Sequence, residues 1–292
     1  MAKSISYYIT LFVIKCKNIK KDFSQDPINY NKIRKSDVQN PSCKFYKNTN
    51  IHKFKIFETK ITSITNPNSQ KLIFYIHGGA FVSGPSKHHW ETLKTIYKST
   101  HQNIWMVNYP KAPEHKIDSI LENITHAYTK ALQKYKSNKI IVIGDSAGAT
   151  LALVLKKYWD DNKIPLPQKT ISICPVIDPS LSNPQIERFD KTDPILSKKG
   201  VKSAKLMCAL NNNLNSPMLS PKVLPHKYFK DTVFFLAQND ILYPDAYQLI
   251  QNLKQNNIPI QTIIGYGMPH IWPLLPVMKE SKLALKQIIA QL

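Results

Sequence analysis

The chain has 292 residues, 42% of them hydrophobic and 10% aromatic. Such a composition excludes a disordered protein and is long enough to bury a large core without disulfides or metals. No apolar run reaches the ~18 residues that would cross a bilayer as a helix. Forty Lys and Arg against 19 Asp and Glu give a net charge of +21, yet only Arg34 and Arg188 are arginines and the lysines run from Lys3 to Lys286. Nucleic-acid sites cluster basic groups with arginine and stacking aromatics. The dispersed lysines therefore read as a solubilising surface with no nucleic-acid partner, weak contact with an anionic membrane surface being the alternative.

The first apolar stretch, Ile5 to Ile14, precedes Lys15, Lys17, Lys20 and Lys21. It is too short to span a bilayer and reads as a helix laid with its apolar side on the body. Its alternative is an interfacial anchor that sets lysines on lipid head groups. The expected location is cytoplasmic, with peripheral membrane association through residues 5–21 as that alternative. Cys16, Cys43, Cys174 and Cys208 lie far apart with no CxxC pair, which argues against zinc and for reduced thiols.

From residue 51 the pattern becomes regular. Apolar runs of strand length occur at 54–61, 72–76, 104–108, 140–143, 170–174, 232–237 and 260–264. Between them, 86–100, 115–135, 147–161, 245–257 and 277–291 read as helices. The alternation predicts an α/β fold, a mostly parallel sheet with helices on both faces. It breaks at 178–226, rich in Pro and Asn. The expected organisation is an N-terminal cap segment over 1–50 and a body over 51–292, with a cap insertion at about 178–226.

Only eight glycines occur, at 78, 79, 84, 144, 148, 200, 265 and 267. Six of them stand after three predicted strands, at the sheet edge where α/β proteins place ligands. Gly144-Asp145-Ser146-Ala147-Gly148 joins a buried strand to a helix. This G-x-S-x-G context projects the serine hydroxyl above the sheet beside the amides and dipole of a helix N-terminus. Ser146 is thus a candidate nucleophile, the ordinary turn serine being the plainer reading.

His77-Gly78-Gly79-Ala80-Phe81 ends the 72–76 strand. With the Gly-Asp-Ser-Ala-Gly elbow, this segment resembles the α/β-hydrolase fold, and within it the hormone-sensitive-lipase-like esterases with their His-Gly-Gly-Gly loop. Tyr109-Pro-Lys-Ala-Pro-Glu-His115, Asp193-Pro-Ile-Leu-Ser197 and Ser216-Pro-Met-Leu-Ser-Pro221 are similar to further segments of that family. The resemblance implies an oxyanion hole from the amides of Gly79, Ala80 and Ala147. It departs from the family at Ala80, where the third glycine is expected; the amide survives, but the methyl narrows the space. His77 reads as a structural group holding the loop.

The acid and base follow in the order Ser, Asp, His that this fold uses. Asp240 comes after the 232–237 strand, and Asp240-Ile-Leu resembles the family's Asp-Pro-Leu. Asp245, following Pro244, is the competing carboxylate, although Pro and an acid together also start a helix. Of nine histidines, His270 follows the 260–264 strand through Gly265 to Pro269 and is the expected base. His52, His88, His89, His101, His115, His126 and His226 show no partner in the sequence.

The resulting expectation is a serine carboxylic-ester hydrolase acting on small-molecule esters with short acyl chains, with no metal or organic cofactor. Ser146 would be the nucleophile, His270 the base and Asp240 its orienting acid. A related amidase, arylformamidase or peptidase, or a binder that retains the fold, are the alternatives. Tyr7, Tyr8, Phe12, Phe189 and Met207 are expected either to line an acyl or alcohol pocket or to be core. Oligomeric state is left open.

Overall fold

The computed structural model describes residues 3–42 and 49–292; Cys43 lies outside them. Eight strands form one sheet in the order β1-β2-β4-β3-β5-β6-β7-β8. The edge is a hairpin of β1 (Asn50–Ile56) and β2 (Thr59–Thr65), antiparallel to each other, with β2 pairing antiparallel to β4 (Asn103–Asn108). From β4 onward, β3 (Leu72–Ile76), β5 (Ile140–Asp145), β6 (Lys169–Ile173), β7 (Thr232–Asn239) and β8 (Ile260–Pro269) run parallel.

Two expectations need correction. The apolar run 54–61 is not one strand: the chain reverses at Phe57, whose φ of 49° turns it without a glycine. A bulky residue there carries no turn signal in the sequence. The last strand does not stop at 264 but continues to Pro269, with a register shift between Ala237 and Asn239. Gly265 still pairs with Ala237, and the irregularity takes in residues 266–268 with Gly267.

Side chains alternate across each strand. Leu72, Phe74 and Ile76 point to one core with α5 (Ile117–Leu132), α6 (Ala147–Asp161) and α9 (Tyr243–Gln255). Ile73 and Tyr75 point to the other, beneath α4 (Lys87–Thr100) and α10 (Lys279–Ile289). Helices therefore cover both faces.

The N-terminal segment contributes α1 (Ile5–Cys16), α2 (Ile19–Asp22) and α3 (Tyr30–Arg34); residues 178–226 contribute α7 (Ile186–Thr192) and α8 (Lys198–Cys208). The two segments pack together above the sheet's C-terminal edge. Ile14 joins Leu181, Ile186, Leu196 and Val201 in one cluster with Ile241 and Leu242. Gly200 lets α8 meet Phe23, since a Cβ there would stand 1.5 Å from the Phe23 carbonyl oxygen. Among the described residues no helix is long and apolar enough to cross a membrane.

Candidate active site

The connections from β3 and β5 leave in opposite directions, β3 toward β4 and β5 toward β6, so a crevice opens between their C-terminal ends. Ser146 follows β5 at φ 51°, ψ −120° and heads α6. Its N–H donates to the Ile173 carbonyl at 2.8 Å, which anchors this strained turn. A Cβ on Gly148 would stand 2.0 Å from the Ile76 carbonyl oxygen, so only glycine lets α6 start this close to β3.

Asn239 on β7 pairs with Pro269 on β8, so the next residues of the two strands, Asp240 and His270, emerge side by side. His270 Nδ1 lies 2.6 Å from Asp240 Oδ2, and His270 Nε2 lies 2.9 Å from Ser146 Oγ. With the proton on Nδ1, the ring donates to the carboxylate and accepts from the serine hydroxyl. Both Asp240 and His270 are buried. Burial opposes charge on the ring, but the Asp240 carboxylate outweighs it and raises the His270 pKa well above its ordinary value. Asp245 is not at this site; it accepts from Asn183 at 2.9 Å on the first turn of α9.

The 77–81 loop stands opposite. Ala80 and Phe81 have φ of 55° and 65°, and among the described residues the amides of Gly79, Ala80 and Ala147 donate to no protein acceptor. His77 is buried, with Nδ1 2.6 Å from the Gly78 carbonyl and its ring stacked on Tyr109 at 4.7 Å. Burial lowers its pKa well below the ordinary value, so it is neutral.

Three features escaped the sequence reading. Asp145, beside Ser146, accepts from the Tyr75 hydroxyl at 2.8 Å and the Gly78 amide at 3.0 Å, and pairs with His89 Nε2 at 3.2 Å. Since the Ser86 amide donates to His89 Nδ1 at 2.8 Å, Nε2 carries the ring proton. Burial opposes ionisation of Asp145, but His89 and Tyr75 hold its carboxyl below the ordinary range. This network ties the elbow to the 77–81 loop, a tertiary pairing that no sequence spacing announces. Asp193 accepts from the amides of Ile195, Leu196 and Ile241, the last beside Asp240. Lys205 of α8 is the third; its only signal was a lysine within an apolar helical stripe.

A narrow cavity at Ser146 is lined by Ala80, Phe81 and Ala147, by Phe23, Val176, Leu196 and Leu242, and by Val201, Ala204 and Lys205 of α8. Of the five side chains expected either to line a pocket or to be core, none lines this cavity. Tyr7 is core, with its hydroxyl donating to the Gly267 carbonyl; Tyr8 and Phe12 face solvent; Phe189 packs against the cluster that holds Leu196, Val201 and Leu242, and Met207 against the one that holds Ala204. Among the described residues two groups of ligand-type atoms lie within 4.8 Å of one another, His88–His89–Asp145 and Cys174–Asp240–His270. Hydrogen bonds within each already occupy His89 with Asp145 and His270 with Asp240.

This fold and crevice define a hydrolase of the α/β class. A family model described as alpha/beta hydrolase fold matches residues 73–274, more than half of the chain, and the chain belongs to that family. An alpha/beta hydrolase by name from Acanthamoeba polyphaga mimivirus is 26% identical over 99% of this chain and 88% of its own length. An esterase of Acinetobacter venetianus is 27% identical over 76% of this chain and 74% of its own. The crystal structure of an esterase from the bacterial hormone-sensitive lipase family superposes with a TM-score of 0.82 at 22% identity, covering 99% of this chain and 98% of that one. The resemblance drawn from the His-Gly-Gly-Ala and Gly-Asp-Ser-Ala-Gly segments holds.

Proposed function

We propose that the protein is a serine carboxylic-ester hydrolase acting on short-chain acyl esters. The observation that carries this reading is His270 bridging Ser146 and Asp240 within hydrogen-bond distance, with Ser146 lining a narrow cavity. The Ser146 oxygen attacks the ester carbonyl carbon while its proton passes to His270 Nε2. Asp240 holds the ring tautomer and stabilises the imidazolium. The amides of Gly79, Ala80 and Ala147 receive the oxyanion, each donor worth about 3–4 kcal/mol in comparable sites. The alcohol leaves with the proton from His270, and water, deprotonated by the same ring, then hydrolyses the acyl-enzyme. Nothing in these steps calls on a metal or organic cofactor.

The described residues of the 1–50 segment and residues 178–226 act together as a cap over this site, because their shared cluster stands on Ile241 and Leu242 beside Asp240. The Ala80 methyl and the cap side chains restrict the cavity, favouring acyl groups of roughly two to six carbons, where each further CH₂ adds at most ~0.8 kcal/mol. The test is kcat/KM across p-nitrophenyl esters from C2 to C12, with fluorophosphonate labelling of Ser146. A maximum at short chains is expected; a rise continuing through C12 overturns the short-chain reading. Cleavage of amides or peptides with no ester turnover overturns the esterase itself.

The protein is further proposed to work in the cytoplasm and to touch anionic membrane surfaces through α1. Ile5, Tyr8, Ile9, Phe12 and Val13 form one outward stripe of that helix, 43–81% exposed, next to Lys15, Lys17 and Lys21.

A further inference from the structure

Val201, Ala204, Lys205 and Cys208 share one buried face of α8. Lys205 is the anomaly on it. It is 1% exposed, and among the described residues its Nζ has no hydrogen-bond partner. The ammonium nitrogen lies 4.3 Å from the centroid of the Phe81 ring, and both residues line the cavity that contains Ser146. Phe23, Val176, Leu196 and Leu242 make the rest of that wall apolar. The ionisable group felt most strongly is Cys208, whose thiol burial pushes up to about 12, so it supplies no counter-charge. The contrast with Lys156 is informative: that amine is also buried but donates to the Lys230 carbonyl at 2.5 Å. An amine buried without a hydrogen-bond partner is destabilising relative to an apolar side chain of the same shape. Such a cost beside a nucleophile is recovered when a ligand brings the missing acceptor.

Resting on the esterase reading of Ser146, we propose that Lys205 is the specificity-determining residue of this cavity and that the preferred substrates are short esters bearing a carboxylate, which pairs with its Nζ. The Phe81 face and the aliphatic wall hold the connecting carbons, and the charge sits at the far end from the scissile carbonyl. Burial already lowers the Lys205 pKa to about 7, so an arriving carboxylate restores the full ammonium charge and is bound with uptake of a proton.

The test compares charged and neutral esters in two arms. In the acyl arm p-nitrophenyl hemisuccinate is set against p-nitrophenyl butyrate; in the alcohol arm 4-acetoxybenzoate is set against phenyl acetate. Each kcat/KM is divided by the hydroxide rate constant of the same ester. The wild-type protein is expected to favour the charged ester in at least one arm. In that arm Lys205→Met lowers the charged-to-neutral ratio by about ten- to a hundredfold, mainly through KM, as for a lost charge-assisted bond. Lys205→Gln is the second variant should the Met protein not fold. A wild type without preference in either arm, or ratios that move less than threefold in both, overturns the proposal. Either result leaves the esterase reading standing while Ser146 still turns over the neutral esters. That reading fails separately, by absent turnover of every ester and absent fluorophosphonate labelling.

Discussion

His270 links the two halves of the proposed chemistry, and the variants that test it differ in what they remove. Ser146→Ala and His270→Ala should each lower kcat by at least ~10³-fold with unchanged circular dichroism, and the double variant should be little worse, since the residues act as one unit. Near-wild-type turnover by either single variant contradicts the assignment. Asp240→Asn should cost on the order of a hundredfold or more while Asp245→Asn costs little, because of these two carboxylates it is Asp240 that bonds the His270 ring, while Asp245 pairs with Asn183. The pH profile supplies the sign. His270 works as a base only when unprotonated, and Asp240 raises its pKa, so Asp240→Asn should move the acid limb of kcat/KM to lower pH. A limb that stays in place, or moves up, rejects Asp240 as the orienting group. Ala80 allows a gain-of-space test. At φ 55° an alanine is strained where glycine is not, so Ala80→Gly should keep or raise the melting temperature and shift the preferred acyl length upward. Unchanged chain-length selectivity removes the methyl from the account of specificity.

Among elements, α1 carries the sharpest conflict between pattern and place. Its inner side, Tyr7 and Ile14, is buried, yet its outer stripe from Ile5 to Val13 is apolar and faces solvent. A helix with apolar residues on its outer as well as its inner side has a second surface to satisfy. Vesicles containing anionic lipid should co-sediment the protein, and Phe12→Ser together with Ile9→Ser should weaken binding at fixed salt. Binding unaffected by these changes, or lost entirely by adding salt alone, assigns any membrane contact to the lysines instead. The element boundaries also show how local signals fail. The β1–β2 hairpin turns at Phe57, exposed and stacked on His126 at 3.8 Å; tertiary stacking supplies what turn residues usually supply.

At the scale of the whole molecule the charge dominates. A net +21 repels itself, and the ion pairs that offset it are mostly exposed, as with Lys227–Asp160 and Lys198–Glu187. Such pairs are worth little, so screening should relieve more repulsion than attraction. The melting temperature should rise by about 2 °C or more between low and physiological NaCl; a fall shows that the ion pairs outweigh the repulsion. The α/β class and the elbow around Ser146 were legible in the sequence, because strand and helix periods are local and glycine-poor chains keep glycine where backbones must approach closely; Asp240 and His270 were singled out by their place after later strands together with the resemblance to the hydrolase family. The sequence could not decide which buried groups meet across elements. The Asp145–His89–Tyr75 network, the Asp193 amide cradle, the particular contacts of Ile14 with Leu181 and Ile186, and Lys205 facing the Ser146 cavity all depend on how the sheet and its overlying helices bring distant segments together. Hydrogen bonds and apolar contacts between such segments are selected by the packing of the whole chain, and no spacing within one segment encodes them.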